Sequence, residues 1–242
     1  MKKLLSFIAV IVLLSLSACE KNPSGGGGNN KGNGDVNTDI KIDGDFADWA
    51  ALDAGKVVVA KNNPGSLWEA VKEIRVYATT DFIFYYVKFD KESVEEELAN
   101  GDELNARVCL NTDGEFASGY HNYFLQGYDF VIEGAMANGS GGWSSFDGEL
   151  NQRVGDGWVI IGSGMILGAG KGVEYELMLD VKALNKAIKS SETPNHLLQD
   201  KFQTGMRFYH AGWEEFSNMP NASAEEGDGS SWGDLLEITV NK

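Results

Sequence analysis

Beyond residue 39, apolar and polar positions alternate in short runs, the two-residue period of strands with one buried face. In 73–78, Ile74, Val76 and Ala78 share one face. Phe82–Phe89 (Phe-Ile-Phe-Tyr-Tyr-Val-Lys-Phe) is the densest strand signal, and Thr79-Thr80-Asp81 before it predicts a tight hairpin. The same pattern predicts strands over 56–61, 105–110, 128–133, 158–161, 173–179, 205–210 and 235–240. Helix is scarce. Val181–Lys189 repeats apolar residues at Val181, Leu184 and Ile188 behind Asp180 as N-cap, and 92–99 is a second short candidate. About nine or ten strands with one or two short helices predict an all-β fold, an antiparallel β-sandwich of jelly-roll-like type.

The start of the chain reads differently. Lys2 and Lys3 precede an apolar run from Leu4 to Leu14. Its length suits the core of a secretory signal and falls short of the roughly twenty residues of a spanning helix. Leu16-Ser17-Ala18-Cys19 follows and resembles the lipobox of bacterial lipoproteins. Small residues at 17 and 18 let a peptidase close on the chain, and the Cys19 thiol accepts the diacylglyceryl group. The expectation is a signal peptide over 1–18 and a lipidated Cys19 whose acyl chains hold the mature protein to a membrane. Glu20 stands where inner-membrane retention signals have Asp, so the expected address is the outer membrane. An acidic residue close behind the lipid is similar to surface-export signals and favours the cell surface. Residues 19–38 are rich in Gly and Asn and read as a flexible tether, leaving 39–242 as the folded domain.

Charge narrows the choice of partners. The formal net charge of −16 becomes −18 once a leader with two Lys and no acids is removed. Phosphate backbones need basic patches, so nucleic acid is not an expected partner, and the lipid is the expected membrane contact. With Cys19 lipidated, Cys109 is the remaining thiol and no internal disulfide can form. Between Val108 and Leu110 it reads as a small buried hydrophobe.

The stretch Ile40-Lys41-Ile42-Asp43-Gly44-Asp45-Phe46-Ala47-Asp48-Trp49 resembles the opening of family 9 carbohydrate-binding modules and the DOMON-like sandwich group. The resemblance continues through 74–78 and 81–90, the Asn111-Thr112-Asp113-Gly114 loop, and Tyr175-Glu176-Leu177-Met178-Leu179 before a helix. It implies a β-sandwich, in a group that includes sugar binders, haem binders and domains of other roles. That group's sugar-contacting residues lie in variable loops, and none is carried over. For the opening motif itself, Gly44 reads as a turn residue, and Phe46 and Trp49 as a cap on one end of the core.

Sugar recognition uses aromatic faces outside strands, with amides and carboxylates beside them. Trp143 in a Gly-rich loop and Trp213 directly after a strand are the leading candidates, followed by Trp232, Tyr120 and Tyr123. Each has a competing role as a loop anchor folded onto its own domain. Trp68 and Trp158 read as packing residues. Asp113 and Glu115 around Gly114 are candidate ligands for calcium, the one cofactor the sequence offers. His121, His196 and His210 share no metal-ligand spacing, and no nucleophile elbow or phosphate loop appears. The expected function is therefore a non-catalytic, outer-membrane-anchored glycan-binding lipoprotein. The alternatives are a structural or assembly lipoprotein that contacts another protein, and a glycoside hydrolase whose carboxylate pair cannot be recognised in so acidic a chain.

Overall fold

In the computed structural model, the Phe82–Phe89 run is a strand whose alternate residues divide between two cores. Ile83, Tyr85, Val87 and Phe89 enter the main core, while Phe84 and Tyr86 point to the opposite side. The structure describes residues 39–63, 66, 68–120, 127–139, 141–154, 157–221 and 233–242. The chain opens with α1 (Ala47–Ala51), β1 (Val58–Lys61), β2 (Val71–Ala78), β3 (Phe82–Phe89) and α2 (Lys91–Asn100). Then come β4 (Glu103–Asn111), β5 (Phe130–Asn138), β6 (Asp147–Val154), β7 (Gly157–Ser163), β8 (Ile166–Lys171) and β9 (Glu174–Asp180). It closes with α3 (Val181–Lys189), β10 (Lys201–His210), β11 (Glu215–Met219) and β12 (Leu236–Thr239).

The strands form two antiparallel sheets, as the alternation predicts. The smaller runs β1-β2-β3-β9-β8 and the larger β11-β10-β4-β5-β6-β7, with β12 on the first half of β10. The main core lies between them, where Leu104, Ala106, Val108 and Leu110 of β4 face Tyr85, Tyr175 and Leu177 of the smaller sheet. Among the described residues the α-helices are few and short, as expected, and number three, with α1 in the opening segment. At α3, Asp180 caps as expected, accepting the Ala183 N–H at 2.8 Å, and Leu184 and Ile188 are buried.

Both sheets are also covered on their outer faces, which a single-core sandwich does not anticipate. Ile40 and Trp49 from the opening segment lie on Tyr77, Phe84 and Tyr86, the outward side of the smaller sheet. Phe46 and Trp49 therefore cover a sheet face rather than capping one end of the main core. On the larger sheet, Cys109, Tyr128, Val131 and Leu235 form a third buried cluster, with Tyr120 and Trp158 packed against it. Among the described residues, no helix is long and apolar enough to cross a membrane.

Candidate functional site

Successive residues of β10 point to opposite sides of the larger sheet, and this separates the two leading tryptophans. Phe208 faces inward, and its ring meets Phe89 edge-on at 5.3 Å. Phe89 in turn stacks on Trp143 at 5.4 Å, and Tyr175 lies 5.1 Å away. The Trp143 indole N–H donates to the carbonyl of Gly172 at 2.8 Å. Its ring also fills the space above Gly170, where a Cβ would stand 2.4 Å from Trp143 Cγ. With neighbours on the ring and its one donor in use, Trp143 anchors its loop to the edge of the core. This is the loop-anchor role that competes with its reading as a ligand platform.

Tyr209 is the outward neighbour of Phe208, and Trp213 packs against it at 5.4 Å. Trp213 sits in the 3₁₀ turn Ala211–Trp213 between β10 and β11, and it is 42% exposed. Its φ of +67° is the left-handed region that a bulky residue adopts only at a cost. The guanidinium of Arg107 lies 4.9 Å from the Trp213 ring and 4.8 Å from that of Tyr209. Strand register builds the surroundings: Arg207 pairs with Arg107, Arg107 with Glu133, and Glu133 with Glu149 across β10, β4, β5 and β6. The two like charges are compensated, since Arg107 is ion-paired to Glu133 and Arg207 to Glu215. The Tyr209 hydroxyl accepts from Arg107 at 3.2 Å. The outer face thus presents one exposed indole beside fixed donors and acceptors. Trp143 packs with the inward set around Phe208, and Trp213 with the outward Tyr209.

A second site lies where β4 ends. The carbonyl of Leu110 accepts the N–H of Asp129 at 2.8 Å, and Thr112 O accepts that of Gln199 at 3.0 Å, which draws three segments together. Asp129 is buried. Its Oδ2 accepts the N–H and hydroxyl of Thr112 at 2.8 and 3.0 Å, while Oδ1 lies 3.1 Å from His196 Nδ1. Asp113 Oδ2 lies 3.4 Å from the same nitrogen. Burial pushes the Asp129 carboxyl above the usual carboxylate range. The Thr112 N–H opposes that shift, and the Asp113 charge adds to it. A cavity of about 270 Å³ opens here, walled by Ser118, Tyr120, Asp129, Gln152, Arg153, Thr193 and His196.

Against this geometry, Asp113 is where a cation site was expected, but Glu115 is not its partner. Glu115 is exposed and contributes its backbone N–H to Asp113 Oδ1 at 2.8 Å. Asp129 and His196 stand beside Asp113 instead, from positions too distant in sequence for any spacing rule to join them. Tyr120 lines the cavity, but its ring lies against Tyr128 and Trp158 at 5.4 and 5.5 Å, with the Arg153 guanidinium 4.7 Å from its centre. Trp158 stacks on Tyr128 as a packing residue. His210 pairs with Glu97 at 2.8 Å and stacks on Phe216. Cys19, His121, Tyr123 and Trp232, with the expected signal peptide and tether, lie outside the described residues. No protein-family model and no curated protein matches the chain.

Proposed function

We propose that the chain is a non-catalytic glycan-binding lipoprotein, anchored through Cys19 in the outer membrane, that takes sugar at Trp213 on the outer face of the larger sheet. One observation carries the reading: an exposed indole is held in a left-handed backbone, buttressed by Tyr209 and Arg107. A pyranose lays its C–H face on such a ring, while fixed charged groups beside it bond the hydroxyls. The ion pairs of Arg107 and Arg207 pre-set those groups, so little ordering remains for binding to impose.

Glycan-array screening of the full chain, followed by calorimetry on the best hit, tests this. Saturable binding that falls more than tenfold in Trp213→Ala supports it. Absence of binding to any glycan, or binding indifferent to that substitution, overturns it. The anchor has its own test, in which Cys19→Ala moves the protein from the membrane to the soluble fraction.

One observation favours the protein-contact alternative. Val159 and Ile160 on the terminal strand β7 are 48% and 55% exposed, and Leu167 on the terminal strand β8 is 54% exposed. A terminal strand with exposed apolar side chains is a candidate pairing surface. Loss of a co-purifying partner in Ile160→Asp, with glycan binding absent from the wild type, would favour that reading.

A further inference from the structure

We infer that Asp113, Asp129 and His196 bind one divalent transition-metal ion at the mouth of the cavity below β4. The inference uses none of the residues around Trp213 and stands apart from the glycan reading.

The three side chains come from separate segments, yet one donor atom of each lies within 4.8 Å of the others. The arrangement within the trio is directional. Asp129 turns Oδ2 to the N–H and hydroxyl of Thr112, which leaves Oδ1 toward His196. Asp113 turns Oδ1 to the N–H of Glu115, with the Ser118 hydroxyl bridging both its oxygens, and Oδ2 faces the same imidazole nitrogen. The single Thr112 hydroxyl proton is shared between Asp129 Oδ2 and the His196 carbonyl, 2.7 Å away, which ties the third residue's backbone to the pair. Asp129 therefore has one oxygen held by Thr112 and the other presented to the imidazole, while Asp113 presents Oδ2 to the same nitrogen with the Ser118 hydroxyl beside it. Outer partners orient metal ligands in this way.

Distances fit the assignment. Metal–ligand bonds of about 2.0–2.2 Å in tetrahedral or octahedral geometry place neighbouring donors about 3.0–3.6 Å apart. His196 Nδ1 stands 3.1 Å from Asp129 and 3.4 Å from Asp113, two edges of that size. The donor set selects among ions. One imidazole and two carboxylates suit zinc or manganese, whereas calcium asks for six to eight oxygens. Two carboxylates side by side, one of them buried, also give a cation a favourable field. Asp129 and His196 both line the cavity, so an ion held by three protein ligands keeps positions open toward Ser118, Gln152 and Thr193.

The test uses the untagged full chain, stripped by chelator and titrated by calorimetry with Zn²⁺, Mn²⁺ and Ca²⁺. The expected result is one Zn²⁺ or Mn²⁺ per chain, lost in His196→Ala and weakened more than tenfold in Asp113→Asn. Cobalt supplies a second readout in the wild type, because visible bands of the bound ion report a site built from nitrogen and oxygen donors. Near-uv circular dichroism of the metal-free proteins checks that the variants fold. If His196→Ala does not fold, Asp113→Asn and the cobalt spectrum decide the matter. Three results overturn the inference: neither transition metal binds saturably, binding is unchanged in the variants, or Co²⁺ keeps its aqueous spectrum. In each of these cases, the trio is a hydrogen-bonded latch between loops.

Discussion

The indole N–H of Trp49 donates to the buried carboxylate of Glu176 at 3.1 Å, tying the opening segment to the outward side of β9. The other carboxylate oxygen accepts the N–H groups of Asp43 and Gly44 at 3.0 and 2.9 Å. Gly44 sits at φ +76°, which turns the chain so that both N–H groups point at one acceptor. The Asp-Gly turn and the Trp a few residues later thus belong to one device, with Glu176 at its centre. Their spacing follows from the need to reach a single side chain.

Glu176→Gln is expected to destabilise the fold by about 1–3 kcal/mol, because an amide has one acceptor oxygen where the carboxylate has two. Its NH₂ must then face either Trp49 or the two backbone donors. Burial, the largest influence, raises the Glu176 carboxyl above its ordinary value even though these donors pull it down. A raised folded-state value means that the folded protein holds this proton more tightly than the unfolded chain. The stabilisation is complete below the unfolded carboxyl value of about 4.3 and is lost as pH rises through the folded one. The stability gap between wild type and Glu176→Gln should therefore widen as pH falls from 7 toward 4. Urea unfolding at several pH values measures it, and a gap that narrows on acidification contradicts the account.

Trp143→Ala is expected to cost about 2–3 kcal/mol, less than a fully buried tryptophan, and to leave any glycan affinity unchanged. Gly170→Ala attacks the same contact from the other side. Its Cβ would stand 2.4 Å from Trp143 Cγ and 2.5 Å from Tyr175 Cδ2, so strand or ring must shift. Because both substitutions disturb one contact, the double variant should lose less stability than the two single losses combined. Thermal unfolding of the set checks this.

Phe82–Phe89 and Val181–Lys189 were legible to the residue because their apolar periods are unbroken. Three strands were not. β6 has Asp-Gly-Glu-Leu-Asn-Gln-Arg-Val, in which glycine and glutamine take inward positions and dilute the alternation. β8 reads Ile-Leu-Gly-Ala-Gly-Lys, where the glycines that suggest a turn make room for Tyr175 and Trp143. β11 is five residues long and shows no period. At the candidate sites, Trp213 and Asp113 were legible because loop aromatics and Asp-Gly runs are local signals. Asp129 and His196 were not, since what joins them is tertiary: strand ends meeting a loop 67 positions away.

Trp213→Gly separates binding from folding. Glycine adopts φ near +67° without the strain of a bulky side chain, which is on the order of 1–3 kcal/mol. Against that gain stand the lost contacts with Tyr209 and Arg107, each worth about 0.5–1.5 kcal/mol. Stability is therefore expected to change by less than about 1 kcal/mol, while sugar binding is lost. A large destabilisation would show that Trp213 holds the β10–β11 connection in place.

Cys109 points to the outward side of β4, yet it is buried beneath Leu235 and beside Tyr128 and Val131. Burial pushes its thiol up to about 12, although Arg207 and Arg107 pull the other way. Two barriers to reaction follow: the thiolate is rare at neutral pH, and reagents do not reach it. In a Cys19→Ser chain, Cys109 should stay unmodified by a thiol-reactive dye under native conditions and react in full once urea unfolds the domain. Mass spectrometry across a urea series reads both states, and labelling should follow the global unfolding curve. Labelling well below the transition would mean that Leu235 and its neighbours lift from the sheet locally, and that this cluster opens independently of the main core.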